Sequence, residues 1–426
     1  FLHRTNLNII LLLGYNIHVL IMEKFIASLI LCLISMFSFG QNEGCDGVRY
    51  IDDGFQDVTI SANVLFGTNT TIGGKSQDLF MDIFEPSNDT EDNRPLIILA
   101  FGGAFVSGEK EKLHDLASAY ARKGYVTASI DYRLYDKLAL LDSALLIDVV
   151  VKGIGDMRAA IRYFKEDFSE NGNNYGIDTN CIFVGGLSSG AIIACHVGLL
   201  NTTDEIPEYL QSTIESNGGW EGNSSSNTQY SSEVTGVLSF SGGIKEIEWI
   251  TQNDVPVFSV HETGDTIVPY QKGPVKIDFG LFSIPLIHIS GGKEMYDALQ
   301  TNNVKSELIS IPVNQHMSYF SGSTAESYND SILNSSSKFM ESVFCDITVK
   351  NKSIKNIFSV FPNPASDYLT INTNTSIQSL SIYDSFGKMM LKTSEKNIYV
   401  GNFSRGYYFL RIEYKSGTQT QKLMIK

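Results

Sequence analysis

The sequence predicts an α/β fold with a mostly parallel central sheet, joined to a small C-terminal all-β sandwich. Apolar runs at Pro95–Phe101, Cys181–Val184 and Val255–His261 read as buried strands, each leading into a turn that carries Gly, Ser or Asp. After about Lys350 the chain becomes helix-poor, and short alternating segments separated by Asp, Ser and Gly take over. The 426 residues exceed one ordinary domain, and a 43% hydrophobic, 11% aromatic composition is enough for a large core. A formal net charge of −15 argues against polyanion binding, so no nucleic-acid partner is expected. The chain shows no phosphate loop, CxxC pair or metal-spaced His/Glu motif, and neither cofactor nor metal is expected.

Residues 22–40 read as a signal peptide: Met22-Glu23-Lys24 is a short polar start, Phe25 to Phe39 an apolar core, and Ser38-Phe39-Gly40 a small-x-small cleavage site before Gln41. Residues 1–21 read as an over-extended start. The apolar core is too short for a comfortable membrane span, so the mature chain is expected to have none. Leu31 before Cys32 argues against a lipoprotein site.

The strand Pro95–Phe101 is followed by Gly102-Gly103-Ala104-Phe105. Small residues there let the backbone N–H groups of Gly103 and Ala104 approach a bound carbonyl oxygen. Phe105, at the end of the turn, is assigned to substrate contact.

The apolar run Cys181–Val184 leads through Gly186-Leu187-Ser188-Ser189-Gly190 into Ala191-Ile192-Ile193-Ala194, a strand, tight turn and helix. In such an elbow the serine backbone is strained, its Oγ points outward, and flanking glycines avoid collisions that a Cβ would cause. The Ser189 N–H, at the positive end of the helix, can bind a developing oxyanion.

An elbow serine requires an acid and a base later in the chain, in the order Ser, Asp, His. Asp265 lies in the loop after the strand Val255–His261, with Glu262 the second choice of acid. His316 follows the alternating strand Val304–Ile311, closed by Pro312, and is the assigned base. His196 lies inside the elbow helix and reads as a packed or capping residue, His288 falls in an irregular insertion, and His261 at its strand tip reads as packing. Between elbow helix and next strand, Asn201–Glu233 holds the polar stretch Asn223–Asn227. It is expected to be a mobile loop over the site, with Trp220 near the substrate.

Four cysteines follow the leader, Cys45, Cys181, Cys195 and Cys345, an even number in an exported chain. Cys45 and Cys345 bracket the α/β domain and are the candidate disulfide. Cys181 and Cys195 flank the elbow and form a weaker candidate pair, since buried free cysteine is common.

These features resemble the α/β-hydrolase carboxylesterases, the group of hormone-sensitive-lipase-like and bacterial feruloyl and acetyl esterases. Leu79–Pro86 resembles the family's second strand, Ser129–Leu134 its DYRL segment, Asp156–Tyr163 the helix before the elbow and Tyr175–Asp178 the approach to the elbow strand. The resemblance covers about residues 45–345. Phe101 departs from it, because the family's HGGG loop usually has histidine there. The resemblance implies a serine carboxylesterase, with acetyl or feruloyl esters of carbohydrates as the substrate class by analogy. Two other readings stay open, an α/β-hydrolase peptidase using the same triad and a catalytically silent binding protein.

From Lys352 to Lys426 there are ten Lys and Arg against four Asp and Glu, opposite in sign to the rest. Leu369–Ile371, Leu380–Asp384, Lys388–Leu391 and Gly406–Ile412 read as strands. The Pro362-Asn363-Pro364-Ala365 opening, the Ile382-Tyr383-Asp384 centre and the Gly406–Ile412 strand resemble the C-terminal sorting domain of the type IX secretion system of Bacteroidota. That resemblance implies delivery across the outer membrane by the type IX machinery to a secreted or cell-surface location. The expected organisation is therefore leader at 22–40, α/β-hydrolase domain at 41–348, and linker plus β-sandwich at 349–426, with a flexible joint near Lys350-Asn351-Lys352.

Overall fold

The computed structural model describes residues 45, 47–137, 142–201, 206–278, 283–321, 325–350, 358–373, 377–384, 388–414 and 417–426. The expected leader and residues 1–21 lie outside them. The chain divides between Ile347 and Thr348 into two compact units.

The first unit runs β1 (Val58–Thr70), β2 (Ser76–Pro86), β3 (Arg94–Ala100), α1 (His114–Arg122), β4 (Val126–Ile130), α2 (Ser143–Glu170), β5 (Ile177–Leu187), α3 (Ser189–Leu199), α4 (Glu208–Ser216), β6 (Gly236–Phe240), β7 (Gly243–Ile244), β8 (Val257–Glu262), β9 (Lys272–Asp278), β10 (Ser283–Gly291), α5 (Gly292–Thr301), β11 (Ser306–Ile311) and α6 (Ala325–Lys350). Eight described strands form one sheet in the order β1-β2-β4-β3-β5-β6-β8-β11. β1, β2 and β4 pair antiparallel, and every pairing from β4 across to β11 is parallel. Every residue of β3, β4, β6 and β8 is buried, which is why these strands read as apolar runs: helices cover both faces. The edge strand β1 is instead mostly exposed or half-buried, and its pairing with β2 shifts register twice. α2 starts at Asp142, whose side chain accepts the Leu145 N–H at 2.8 Å, a capping bond that sets the helix entry.

The DYRL segment and α2 support one another through a buried ion pair. Arg133 Nη2 lies 2.8 Å from Asp156 Oδ1, and the Arg133 N–H donates to Asp156 Oδ2 at 2.8 Å. This pair also corrects the expected mobile loop. Ser224 is 1% exposed; its hydroxyl donates to Asp156 and accepts from Arg133, while its carbonyl accepts the Thr68 N–H at 2.9 Å. Asn227 joins Arg162 to Glu166. Ser224, Ser225 and Asn227 are polar because they satisfy these buried charges, while Asn223 and Ser226 are exposed.

Cys45 and Cys345 are disulfide-bonded, closing a sequence separation of 300 residues. Cys181 and Cys195 are free and buried, so the second candidate pair does not form.

In the second unit, β12 (Phe358–Phe361), β13 (Tyr368–Thr373), β14 (Ile377–Asp384), β15 (Met389–Thr393), β16 (Asn397–Tyr399), β17 (Gly406–Tyr414) and β18 (Gly417–Ile425) make two antiparallel sheets, β12-β13-β16 and β15-β14-β17-β18. Leu369 and Ile371 from one sheet and Leu380, Ile382, Leu410 and Ile412 from the other share one buried cluster, as in a sandwich. Of the expected joint, Lys350 ends α6, and Asn351 and Lys352 lie outside the described residues.

Candidate active site

Ser188 sits where β5 stops and α3 begins, with φ 53° and ψ −113°. A non-glycine residue reaches that region only at a cost of about 1–3 kcal/mol, so its surroundings must enforce it. They do so closely. The Ser188 N–H donates to the Phe240 carbonyl at 2.8 Å, a Cβ on Gly190 would run into the carbonyls of Ala100 and Phe101, and one on Gly186 into that of Gly190. Ser188 Oγ lies 2.8 Å from His316 Nε2. His316 Nδ1 lies 2.7 Å from Asp265 Oδ2. A carboxylate only accepts, so Nδ1 carries the proton and Nε2 is free to accept from the serine hydroxyl.

The Asp265 side chain is fully buried, against 18% exposure for that of His316. Oδ1 accepts the N–H groups of Ile267 (2.8 Å) and Val268 (3.0 Å), an Asx turn, while Oδ2 faces His316. Turn-making and partnering are thus divided between the two oxygens. Burial works against ionisation here, but hydrogen bonds from His261 and His316 outweigh it and hold the carboxyl below the usual carboxylate range.

Glu262 is not placed to serve as the acid. It is fully buried, and its Oε1 accepts the N–H and hydroxyl of Ser318, two residues beyond His316, so it anchors the loop that carries the imidazole. His196 is buried in α3, with Nδ1 2.7 Å from the Ile192 carbonyl and Nε2 accepting the Lys245 N–H at 3.1 Å. Both ring nitrogens are thereby committed to the neutral form, and burial pushes its pKa down to about 4. His288 is exposed on β10, opposite Pro274 of β9; the expected insertion is an antiparallel strand pairing whose register shifts between Pro285 and His288.

Gly103, Ala104 and Phe105 follow one another with φ of 143°, 54° and 63°. Among the described residues the backbone N–H groups of Gly103, Ala104 and Ser189 have no hydrogen-bond acceptor. Phe101, at the position of departure from the esterase pattern, is 2% exposed and stacks on Tyr132 at 4.4 Å, whose hydroxyl donates to the Phe101 carbonyl at 3.0 Å. An aromatic stack therefore supports this loop.

Space beside Ser188 is lined by Ala104, Phe105, Leu146, Ile192 and Val275. Phe105, Leu146, Ile192 and Val275 also line a larger apolar pocket, open to solvent, so the two adjoin. Trp220 and Trp249 form part of its wall, as do residues of α4 and β10. Sequence reasoning missed β9 and β10, and it missed Arg158, which lies against Trp220 in the same wall.

Residues 81–245, from β2 through Ser188 to just past β7, match the BD-FAE family model. Residues 359–426 match the secretion system C-terminal sorting domain. The chain carries a BD-FAE esterase domain and a type IX sorting tail. The BD-FAE domain here is an esterase-type α/β-hydrolase, and the sorting tail assigns the protein to the cell surface or the exterior. Among solved structures, Thermogutta terrifontis esterase 2 phosphoramylated by tabun is 17% identical, with 67% of this chain and 94% of that one covered and a TM-score of 0.48. The paraoxon-phosphorylated form of the same esterase gives 18%, the same coverage and 0.48, and its propionate-bound form 16%, 66% and 94%, and 0.46. No curated protein matches the chain.

Proposed function

We propose that this protein is a secreted serine carboxylesterase working through an acyl-enzyme. The observation that carries the reading is the hydrogen-bonded line from Ser188 Oγ through His316 to the buried Asp265 carboxylate, at 2.8 and 2.7 Å. Ser188 attacks the ester carbonyl as His316 Nε2 takes its proton, and Asp265 stabilises the imidazolium. The N–H groups of Gly103, Ala104 and Ser189 hold the oxyanion, and their lack of other acceptors supports that role. His316 then protonates the departing alcohol. A water, deprotonated by the same nitrogen, attacks the acyl group and regenerates Ser188. The resemblance to feruloyl and acetyl esterases suggests a carbohydrate ester by analogy, and the apolar lining next to Phe105 and Trp220 accommodates an apolar acyl portion.

The test is turnover of p-nitrophenyl acetate together with covalent labelling by an organophosphate. Ser188→Ala should abolish labelling and cost roughly four or more decades of rate. His316→Ala should cost a similar amount and Asp265→Asn somewhat less. Full activity in His316→Ala would refute the assignment of the base, and turnover of a peptide anilide in preference to the ester would favour a peptidase.

A further inference from the structure

The large cavity runs away from Ser188 between α2 and α3. On α3, Ile192 and His196 face it on successive turns, with Leu200 just beyond the helix end; at 1.5 Å per residue, Leu200 lies about 18 Å along from Ser188. The two helices touch at Gly153, where a Cβ would collide with Ile193. Leu146 of α2 lines the space at Ser188, so Arg158, twelve residues further on, lies about 18 Å away at the far end.

Arg158 is 4% exposed. Its guanidinium stacks on the Trp220 ring at 4.3 Å and donates to the Trp220 carbonyl. Among the described residues it forms no ion pair. The nearby acid, Glu221, is taken by Arg162 at 2.9 Å, and the Lys245 ammonium is taken by Glu246. His196 contributes no charge, for the reasons given above. Burial lowers the Arg158 pKa to about 10, with Glu221 opposing and Arg162 reinforcing that shift, so the group stays charged at neutral pH. An apolar cavity therefore ends in one buried cation whose planar fork is only partly used. A fork of this kind recognises a carboxylate through two parallel N–H donors, and desolvation at the cavity end strengthens the pairing.

We propose that the cavity binds the acyl arm of the substrate and that Arg158 reads its far end, so that the preferred esters carry an apolar acyl body terminating in a carboxylate. The proposal rests on the esterase reading for the reaction but not for the binding. Trp220 and Trp249 are the two tryptophans of the chain, and both line this cavity. Intrinsic tryptophan fluorescence thus reports the cavity directly, in a Ser188→Ala chain that needs no turnover.

The experiment titrates that chain with octanoate and with its uncharged analogue octanamide at pH 7. Octanoate should bind at least tenfold more tightly. Arg158→Met should keep the octanamide affinity and lose the preference, and Arg158→Lys should restore part of it. With Ser188 intact, kcat/KM for the mono-p-nitrophenyl ester of hexadecanedioic acid, long enough to span the cavity, relative to p-nitrophenyl palmitate should fall tenfold or more in Arg158→Met. If Arg158→Met fails to fold, Arg158→Lys must still reduce both ratios. Equal affinity of the two ligands for the Arg158 chain, or ratios unmoved by substitution of Arg158, overturns the proposal. Loss of ester turnover in every form with the octanoate preference intact overturns the esterase reading instead.

Discussion

His261 Nε2 lies 3.4 Å from Asp265 Oδ2, the oxygen that also takes the His316 Nδ1 proton. The tautomer of His261 follows from its other contacts. Gly292 N–H donates to its Nδ1 at 3.2 Å, so the ring proton sits on Nε2, which also faces the Val268 carbonyl at 3.1 Å. Asp265 is thus held by two backbone N–H groups on one oxygen and faces two imidazoles on the other, an arrangement that favours its charged form.

His261 is therefore a positioning residue acting through Asp265. His261→Phe keeps a buried ring but removes the donor, so the Asp265 pKa should rise. The Nε2–H is shared with the Val268 carbonyl and its contact with Asp265 is long, so kcat should fall several-fold, with KM little changed. In the proposed mechanism Asp265 acts in its ionised form, so the acid limb of the pH profile should move to higher pH. A purely structural role would lower the amount of folded protein and leave that profile where it is.

The neutral His196 makes stability depend on pH. Unfolded, it titrates near 6.5, and folded near 4, so the unfolded chain binds more protons between those values. Its contribution is fully present above about pH 6.5 and declines as pH falls toward 4. Urea unfolding of the wild type at pH 7.5 and 4.5, set against His196→Gln, should show an extra loss of about 2–3 kcal/mol in the wild type. Identical losses in the two proteins would show that His196 is not held neutral by the fold.

The Cys45–Cys345 bridge ties the start of the described chain to α6, beside the edge-to-face contact of Tyr50 with Phe344 at 5.2 Å. Replacing both cysteines with serine should cost about 2–4 kcal/mol of stability, chiefly by freeing the unfolded chain. Activity at 25 °C should stay near normal, because Ser188, His316 and Asp265 are positioned by other contacts. A reductant should lower the urea midpoint of the wild type and leave that of the double variant unmoved.

The parallel strands were legible because helices cover both their faces and leave apolar runs in the sequence. Ser188, Asp265 and His316 were readable from the loops that follow β5, β8 and β11. The small sheet of β9 and β10 was not, since Lys272–Asp278 mixes charges with Gly and Pro and reads as loop. Asn223–Asn227 misled for a different reason. Its partners Arg133, Asp156 and Arg162 lie some 60 to 90 residues away, and local polarity does not reveal a distant buried charge. Arg158 was hidden in the same way, as one cation among several on a long helix.

The sorting tail supplies the last prediction. Its strands β12–β18 bury their own apolar cluster, from Phe358 to Ile425, and the eight-stranded sheet, the nucleophile elbow and the loops bearing Asp265 and His316 all precede Thr348. A chain ending at Asn351 should therefore fold and hydrolyse a soluble p-nitrophenyl ester with kcat and KM within about twofold of the full chain. Expression of both forms in a host without type IX secretion isolates this comparison from export. Loss of folding in the shortened chain would mean that the tail supports the esterase domain. Normal turnover of the soluble ester with poor turnover of a polymeric one would give the tail a carbohydrate-binding role in addition to sorting.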